Sequence, residues 1–547
     1  MECVVLHVIF SLLCATLPVA VSTPVSFDNE KEPSFWNNEA KEELHRALKE
    51  TDPIVGVAKN VIVFLGDGMG PTTVTAGRIL AGQLQGKNGE EHRLSFDKFP
   101  YVALSKTYNV DHQTPDSAGT GTAYLCGVKT NMGTIGVSAK ASRGNCASSE
   151  GTHLSSILDW SMAQGKSTGI VTTTRVTHAT PASTCAHTPE RNWEHSVPDD
   201  QSGCMDIAQQ LVWNNSNINV VMGGGRQEMF PVNHSDPETD TGYLTEGRTD
   251  NLNLVQEWKN KQASENRRFQ YMWNKTEFDN LDPEKTDYLL ALFNPSHMQY
   301  EADRKKDKGG EPSLAEMTRK AIQILKKNNK GFFLLVEGGR IDHAHHVNNA
   351  GRALHDTVAF AEAVAVATEP SLLDERETLI VTTADHSHAF AFAGYPGRGN
   401  DILGVVADSA GVTLASDGKP YTTLVYGNGP GGNGLNNSMV GRQNLTFVNT
   451  SDTDYKQQSI VPRDSETHGG EDVAIYARGP MAHLFHGVHE QHYIAHVMAY
   501  ASCVGAYSSD QDCAASLVAE TSGAKGLTEG WRLCLIFGIL ILLINMM

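Results

Sequence analysis

The sequence predicts an α/β protein in which a central, mostly parallel sheet is sandwiched by helices. Two observations carry that expectation. Apolar runs at residues 61–65, 169–174, 218–222, 331–336 and 378–383 alternate with helical patterns, and strands spaced by helices pack as helix-covered sheets. The composition, 40% hydrophobic and 20% charged, supplies a large core and excludes wholesale disorder. The 44 Lys+Arg against 63 Asp+Glu leave a formal charge of −19, which excludes a binder of nucleic-acid backbones.

Taken along the chain, residues 4–19 form a nearly unbroken apolar run followed by Ala20-Val21-Ser22. Small residues there suit a signal peptidase, so 1–22 reads as a secretory signal, with Glu2 and no Lys or Arg in the n-region as its departure from type. Residues 32–49 set Trp36, Leu44 and Leu48 at helix-like intervals behind Ser34 as a cap, predicting a short amphipathic helix. The mature region spans 23–522. Within it, 235–315 is more charged and 394–465 is rich in Gly and Asn, and both read as insertions on the central layer. Ser522-Gly523-Ala524, a polar spacer and the apolar tail 533–547 form a GPI-attachment pattern, with Ser522 as attachment residue and 523–547 removed. The tail falls short of the ~20 residues a membrane span needs.

Export gives the cysteines and sequons their meaning. Discounting Cys3, Cys14 and Cys534 leaves Cys126, Cys146, Cys185, Cys204, Cys503 and Cys513, none spaced C-x-x-C, so disulfides are the expectation. Asn214, Asn233, Asn274, Asn436, Asn444 and Asn449 head glycosylation sequons, whereas Pro295 disqualifies Asn294.

The chemistry sits at strand ends. Three of the apolar runs finish in an acid: Asp67 within Gly66-Asp67-Gly68, Glu337 before Gly338-Gly339, and Asp385 before His386. Open α/β sheets build their sites beyond the carboxyl ends of strands, so the three acids are candidates for one metal cluster. A dinucleotide fingerprint is excluded because its third glycine falls at Pro71. Asp342 and His346 stand four apart and share a face if helical, a zinc-like pair. Asp385-His386 adds oxygen and nitrogen, and His468 completes a set from far along the chain. A second histidine series, His483, His486, His489, His492 and His496, has no accompanying strand-end acids and reads as structural. Ser117, behind Pro115-Asp116, is placed at a helix entry, where hydroxyl and amides suit a phosphate. No G-x-S-x-G elbow surrounds it.

These motifs, together with His178-Ala179-Thr180-Pro181-Ala182 and Glu466-Thr467-His468-Gly469-Gly470-Glu471-Asp472, resemble those of the vertebrate alkaline phosphatases, in order and over almost the whole mature chain. The resemblance implies an alkaline-phosphatase-like fold and a phosphomonoester hydrolase, working at alkaline pH through a phosphoserine on Ser117 with two zinc ions and one magnesium. It places zinc at Asp342, His346 and His468, a second zinc at Asp67, Ser117, Asp385 and His386, and magnesium at Asp67, Thr180 and Glu337. Nitrogen-rich sets suit zinc and all-oxygen sets suit magnesium. Three divalent ions outweigh the ligand carboxylates, so an acidic protein can still bind phosphate. Arg191 matches the family's phosphate-binding arginine, whose planar fork fits two phosphate oxygens. The resemblance further implies Cys146–Cys204 and Cys503–Cys513 disulfides. Cys126 matches the family's unpaired cysteine and Cys185 is an addition, their mutual pairing left open. It also implies a GPI-anchored homodimer at the cell surface, in which the 32–49 helix embraces the partner and 394–465 forms a shared crown.

A calcium site implied at Glu238, the Phe293 carbonyl, Asn294 and Glu311 departs from the family pattern. Asn294 stands where the family has Glu and Glu311 where it has Asp, so one charge is lost and calcium is expected to bind more weakly or not at all. Ser117 and Arg191 argue against related diesterases and sulfatases, and intact ligand positions argue against an inactive adhesion protein.

Overall fold

A computed structural model describes residues 28–31, 33–49, 53–201, 203–432 and 441–509. Among the described residues, ten strands form the central sheet: β1 (Asn60–Gly66), β2 (Tyr101–Lys106), β3 (Ser167–Arg175), β4 (Val220–Gly224), β5 (Phe269–Met272), β6 (Tyr288–Leu292), β7 (Phe332–Gly338), β8 (Thr378–Ala384), β9 (Val473–Arg478) and β10 (Gly487–Glu490). Their spatial order is β10-β2-β9-β8-β1-β7-β3-β4-β6-β5. Only β9 runs against its neighbours β2 and β8; every other pairing is parallel.

Burial on both faces explains why five strands stand out as apolar runs. All residues of β1, β7 and β8 are buried, and successive side chains enter opposite cores. Ile62 and Phe64 pack with Met317, Ile322 and Val364. Val61, Val63 and Leu65 pack on the other face with Ile494, Val497 and Met498. The helices include α1 (Pro33–Lys49), α2 (Pro71–Gln83), α3 (Ser117–Cys126), α4 (Leu314–Leu325), α5 (Arg340–His346), α6 (Ala350–Ala367) and α7 (Tyr493–Ser502); α4 and α6 cover one face of the sheet and α7 the other. The exception is α1, which matches the predicted 32–49 helix but leaves Phe35, Trp36 and Leu44 exposed.

The 235–315 stretch corrects the expectation of an insertion lying on the central layer, because it supplies β5 and β6 to that layer. The apolar run Tyr-Leu-Leu-Ala-Leu of β6 pairs parallel with β4. The 394–465 region builds a separate small sheet from Leu424–Gly429 and Ser459–Pro462 with Phe390–Phe392. Ile402, Leu403 and Tyr426 seat it on Leu80 of α2 and Leu354 of α6.

Cys146 and Cys204 are bonded across 58 residues, Cys503 is disulfide-bonded, and Cys126 and Cys185 are free and buried. Asn214, Asn233, Asn444 and Asn449 are exposed; Asn274 is half-buried and caps a short helix, accepting from Glu277 N. The 1–22 signal, Asn436, Cys513, Ser522 and the 523–547 tail lie outside the described residues, among which no helix is long and apolar enough to cross a membrane.

Closing a 58-residue loop removes chain entropy worth about 4 kcal/mol from the unfolded state. The double substitution Cys146→Ala/Cys204→Ala is therefore expected to lower the urea midpoint by the equivalent of about 2–4 kcal/mol under non-reducing conditions; an unchanged midpoint would refute a stabilising role for the bridge.

Candidate active site and metal centre

The parallel register brings the strand-end acids together. Leu65 of β1 pairs with Glu337 of β7 and with Thr383 of β8, and Gly66 with Gly338 and Ala384. Asp67, Glu337 and Asp385 therefore leave the same edge of three adjacent strands, each fully buried. The turn after β1 needs glycine: Gly68 has φ +68°, and a Cβ there would stand 2.3 Å from His388 Nε2. Gly68 N–H donates to Asp385 Oδ1 at 3.0 Å, tying the turn to the neighbouring strand end.

Ser117 opens α3, as its Pro-Asp prelude predicts. Asp116 caps the helix by accepting from Gly119 N at 3.1 Å and also accepts from Gly133 N at 2.9 Å. Its other oxygen binds Arg191 Nη1 at 3.0 Å, so one carboxylate positions both the hydroxyl and the guanidinium. Burial opposes ionisation of Asp116, but Arg191 and the two amides hold its pKa below the usual range. Arg191 Nη2 donates to His178 Nε2 at 3.1 Å. The Ser117 hydroxyl, 2% exposed, stands 3.2 Å from His386 Nε2 and 3.4 Å from Asp67 Oδ1.

A two-strand ribbon recruits His468 from far along the chain: His468-Gly469 pairs antiparallel with Ser387-His388, with His468 opposite His388. On α5, Asp342 Oδ2 lies 3.3 Å from His346 Nε2, the predicted i,i+4 pair. His346 Nδ1 bonds the Glu466 carbonyl at 2.7 Å, and His468 Nδ1 bonds the Pro115 carbonyl at 2.7 Å. Carbonyls accept only, so both neutral rings carry their proton on Nδ1 and turn the Nε2 lone pair inward. Those Nε2 atoms lie 3.2 Å apart, and His468 Nε2 lies 3.3 Å from Asp342 Oδ1.

Two lone pairs and a carboxylate at this distance repel without a positive charge among them. Ligands 2.0–2.1 Å from one tetrahedral ion stand about 3.3 Å apart, so Asp342, His346 and His468 fit zinc. The pKa directions agree. Burial and His386 push His468 down to about 4, keeping it neutral. Burial opposes a charge on His346, yet Asp342 raises its pKa, a demand for positive charge between them.

Beside Ser117, ligand atoms of Asp67, Asp385 and His386 lie within 4.8 Å of one another, as do those of Asp67, His178 and Glu337. Asp67 Oδ2 and Glu337 Oε1 are buried without a hydrogen-bond partner, at a cost of about 1–3 kcal/mol or more each if nothing compensates them. Burial and then the neighbouring carboxylates raise Asp67 well above its usual pKa. Burial also raises Glu337, to about 7, even though Thr172, Thr180 and Thr174 hydroxyls favour its charge. Divalent cations are the compensation these groups fit. Thr180, on the short helix Ala179–Ala182, adds an oxygen to the Asp67 and Glu337 set.

The calcium-like residues do not fit such an ion. Asn294 Oδ1 accepts from Ser296 N at 3.1 Å, which turns its amide Nδ2 to Glu311 Oε1 at 2.9 Å. Glu311 Oε2 accepts from Gln299 N, and Glu238 accepts from Arg226 and from Gly309 N. Donors face every one of these carboxylate oxygens, while burial pushes Glu311 up to about 8 and Glu238 to about 7.

Three residues of the site had no assigned role in the sequence reading. His388 bridges Asp342 Oδ1 at 2.8 Å and Glu466 Oε2 at 2.6 Å, and these carboxylates overcome the burial penalty to raise it to about 10. His178 reaches both Arg191 and the Asp67–Glu337 group. Their only signal is proximity in sequence: His388 follows His386 by two, Glu466 precedes His468 by two, and His178 precedes Thr180 by two. Among the described residues, no candidate metal group includes the 483–496 histidines.

Comparison with known proteins places this geometry. The alkaline phosphatase family model matches residues 58–504. The tissue-nonspecific alkaline phosphatase isozyme of Rattus norvegicus is 51% identical over 502 residues, covering 91% of this chain and 94% of the relative. The human isozyme is 52% identical over 486 residues, covering 88% and 90%. An alkaline phosphatase of Gadus morhua is 50% identical over 483 residues, covering 87% and 98%. Among solved structures, Thermus thermophilus alkaline phosphatase superposes with TM-score 0.57 at 25% identity, covering 83% of this chain and 93% of its own. The enzyme of the Antarctic bacterium TAB5 shares the fold with TM-score 0.55 at 21% identity, covering 82% and 98%. The chain belongs to the alkaline phosphatase family and is a phosphoric monoester hydrolase.

Proposed function

We propose that the enzyme transfers the phosphoryl group of small phosphomonoesters to Ser117 and then to water. The observation that carries this reading is the convergence, around one buried hydroxyl at a helix N-terminus, of Asp67, His386 and the Asp116-held Arg191. Asp342, His346 and His468 are the residues for one zinc; Asp67, Asp385, His386 and Ser117 for a second; Asp67, Glu337 and Thr180 for magnesium. When bound, these ions supply the positive charge that favours the serine alkoxide and the departing oxygen.

The protein's own groups do the positioning. Ser117 Oγ faces the substrate from the first turn of α3, whose amides and dipole favour an anionic oxygen there. Arg191, fixed by Asp116 through one nitrogen and by His178 through the other, presents its planar fork to two non-bridging oxygens. The seryl oxygen attacks phosphorus, the P–O bond to the substrate alcohol breaks, and the alcohol leaves. Water then attacks the phosphoserine, restoring the Ser117 hydroxyl and releasing inorganic phosphate. Two in-line displacements retain configuration at phosphorus.

The surrounding assembly is also proposed from the sequence. The apolar side chains Phe35, Trp36 and Leu44 exposed on α1 support a homodimer in which this helix packs on the partner. The 394–465 sheet serves as the shared crown. Export, glycosylation at the exposed sequons and a GPI anchor at Ser522 place the enzyme on the outer face of the plasma membrane.

The deciding experiment is phosphate labelling. Wild type quenched in acid after exposure to radiolabelled p-nitrophenyl phosphate is expected to carry label on Ser117, and metal analysis to return two zinc and one magnesium per chain. Ser117→Ala is expected to lose label together with a factor of about 10³ or more in kcat; label retained in that variant would refute the nucleophile. Arg191→Lys replaces a two-pronged contact by one, so kcat/KM should fall roughly ten- to a hundredfold, about 1.5–3 kcal/mol, with weaker inhibition by inorganic phosphate. Unchanged phosphate inhibition would remove Arg191 from the substrate site. Expressed at full length on cells, the activity should be released by phosphatidylinositol-specific phospholipase C; activity left in the membrane pellet would refute the anchor.

A further inference from the structure

We propose that Glu466 is a positioning residue for the metal centre, using its carboxylate and its backbone to orient two histidines around Asp342. The inference rests on the metal-assisted reading above. Glu466 is 2% exposed and lies in the segment that closes onto the active-site ribbon. Its backbone binds His346 in both directions: the Glu466 carbonyl accepts from His346 Nδ1 at 2.7 Å, and Glu466 N donates to the His346 carbonyl at 2.8 Å. Its side chain holds the second histidine: Oε2 accepts from His388 Nδ1 at 2.6 Å, while Oε1 accepts from Ala389 N at 2.8 Å.

The result is directional. With both Nδ1 atoms engaged, the Nε2 atoms of His346 and His388 face Asp342 from two sides, at 3.3 Å from Oδ2 and 2.8 Å from Oδ1. His388 thus occupies one oxygen of Asp342 and fixes the carboxylate plane, so that the other oxygen is presented next to His346. The donor atoms of His346, His388 and Glu466 lie near enough to share an ion, but the 2.6 Å between Glu466 and His388 is a hydrogen-bond distance, shorter than the about 3.3 Å between two ligands of one tetrahedral ion, which makes Glu466 an orienting group that works through His388 rather than a ligand. Carboxylates and carbonyls bonded to the outer nitrogen of a ligating or ligand-orienting histidine fix its tautomer and ring plane. Here a single residue supplies one of each.

Gln at 466 keeps both backbone bonds to His346 but cannot accept from His388 Nδ1 and Ala389 N with two oxygens, since one becomes an amide donor. The test uses full-length metal-depleted enzyme titrated with zinc against a chromophoric chelator, for wild type, Glu466→Gln, His388→Gln and the double variant. Each single variant is expected to weaken zinc binding about 10–100-fold, and the double variant to lose no more than the worse single one, because both act along one path. Refilling the depleted enzymes with cobalt gives a second readout: the visible bands of both single variants should shift alike. Wild-type zinc affinity in Glu466→Gln, or losses that add in the double variant, would overturn the proposal. If Glu466→Gln does not fold, His388→Gln alone decides, and an unchanged zinc affinity there overturns it equally. A wild type that takes up no zinc overturns the metal reading itself, and the proposal with it; the two failures are thereby told apart.

Discussion

The structure is organised around a concentration of buried negative charge. Asp67, Glu337, Asp342 and Asp385 are at most 3% exposed; Asp67, Glu337 and Asp385 gather because three parallel strands end in register, and α5, which follows β7, adds Asp342. In a low-dielectric interior such carboxylates repel one another and lose their hydration. The protein supplies some local relief: Thr172 and Thr174 for Glu337, Gly68 N and His386 N for Asp385, His388 for Asp342. Two oxygens remain without any donor. That residue of uncompensated charge separates this cluster from a structural ion-pair network. In the Arg226–Asp236–Glu238 group elsewhere in the chain, by contrast, one buried guanidinium donates to both carboxylates.

The second constraint is directional. A divalent ion is selected by where lone pairs point, and backbone carbonyls set that here. Pro115 and Glu466 each lend a carbonyl to the outer nitrogen of a histidine. Pro115 lies two residues before Ser117, so the bond that aims His468 also ties it to the entry of α3. Asp116 performs a matching task on the other side, capping α3 and gripping Arg191. Ser117, Arg191 and His468 are consequently referenced to one helix N-terminus. Displacing that turn would move all three together instead of opening gaps between them, which suits a reaction needing near-attack geometry.

How much of this was legible follows from the physics of each element. Central parallel strands are buried on both faces and so appear as apolar runs; β1, β3, β4, β7 and β8 were all found that way. Strands β2 and β9 alternate exposed or half-exposed with buried residues, and a search for runs passes over them. The charged stretch around β5 and β6 disguised the last two strands of the sheet, β6 and the edge strand β5, as an insertion, because their neighbours in sequence are surface helices and turns. The candidate ligands at strand ends were legible because three apolar runs of one chain each end in an acid beside glycine or histidine. His388 and Glu466 were not, because their role is relational: it appears only once the ribbon sets His468 opposite His388. The calcium-like set shows the converse. Its residue types left room for an ion, but Ser296 N fixes the Asn294 amide so that a donor faces Glu311, something composition at four positions does not encode.

Net charge and site charge must finally be reconciled. A chain of −19 repels phosphate esters at long range, though beyond about 8–10 Å physiological salt screens most of that repulsion. Capture is therefore decided locally, where the Arg191 guanidinium is held beside Ser117 through Asp116, with the amides of α3 behind it. Asp116 partly cancels that charge, a cost that is useful: an arginine restrained by a carboxylate keeps its fork planar to the site and loses little freedom when phosphate arrives. Arg191 and His388 cannot balance four buried carboxylates, so divalent cations are the charge this cluster fits. The same buried acids that repel one another thus suit the cluster to divalent cations, and a dianionic phosphate is favoured only where positive charge outnumbers the acids around it.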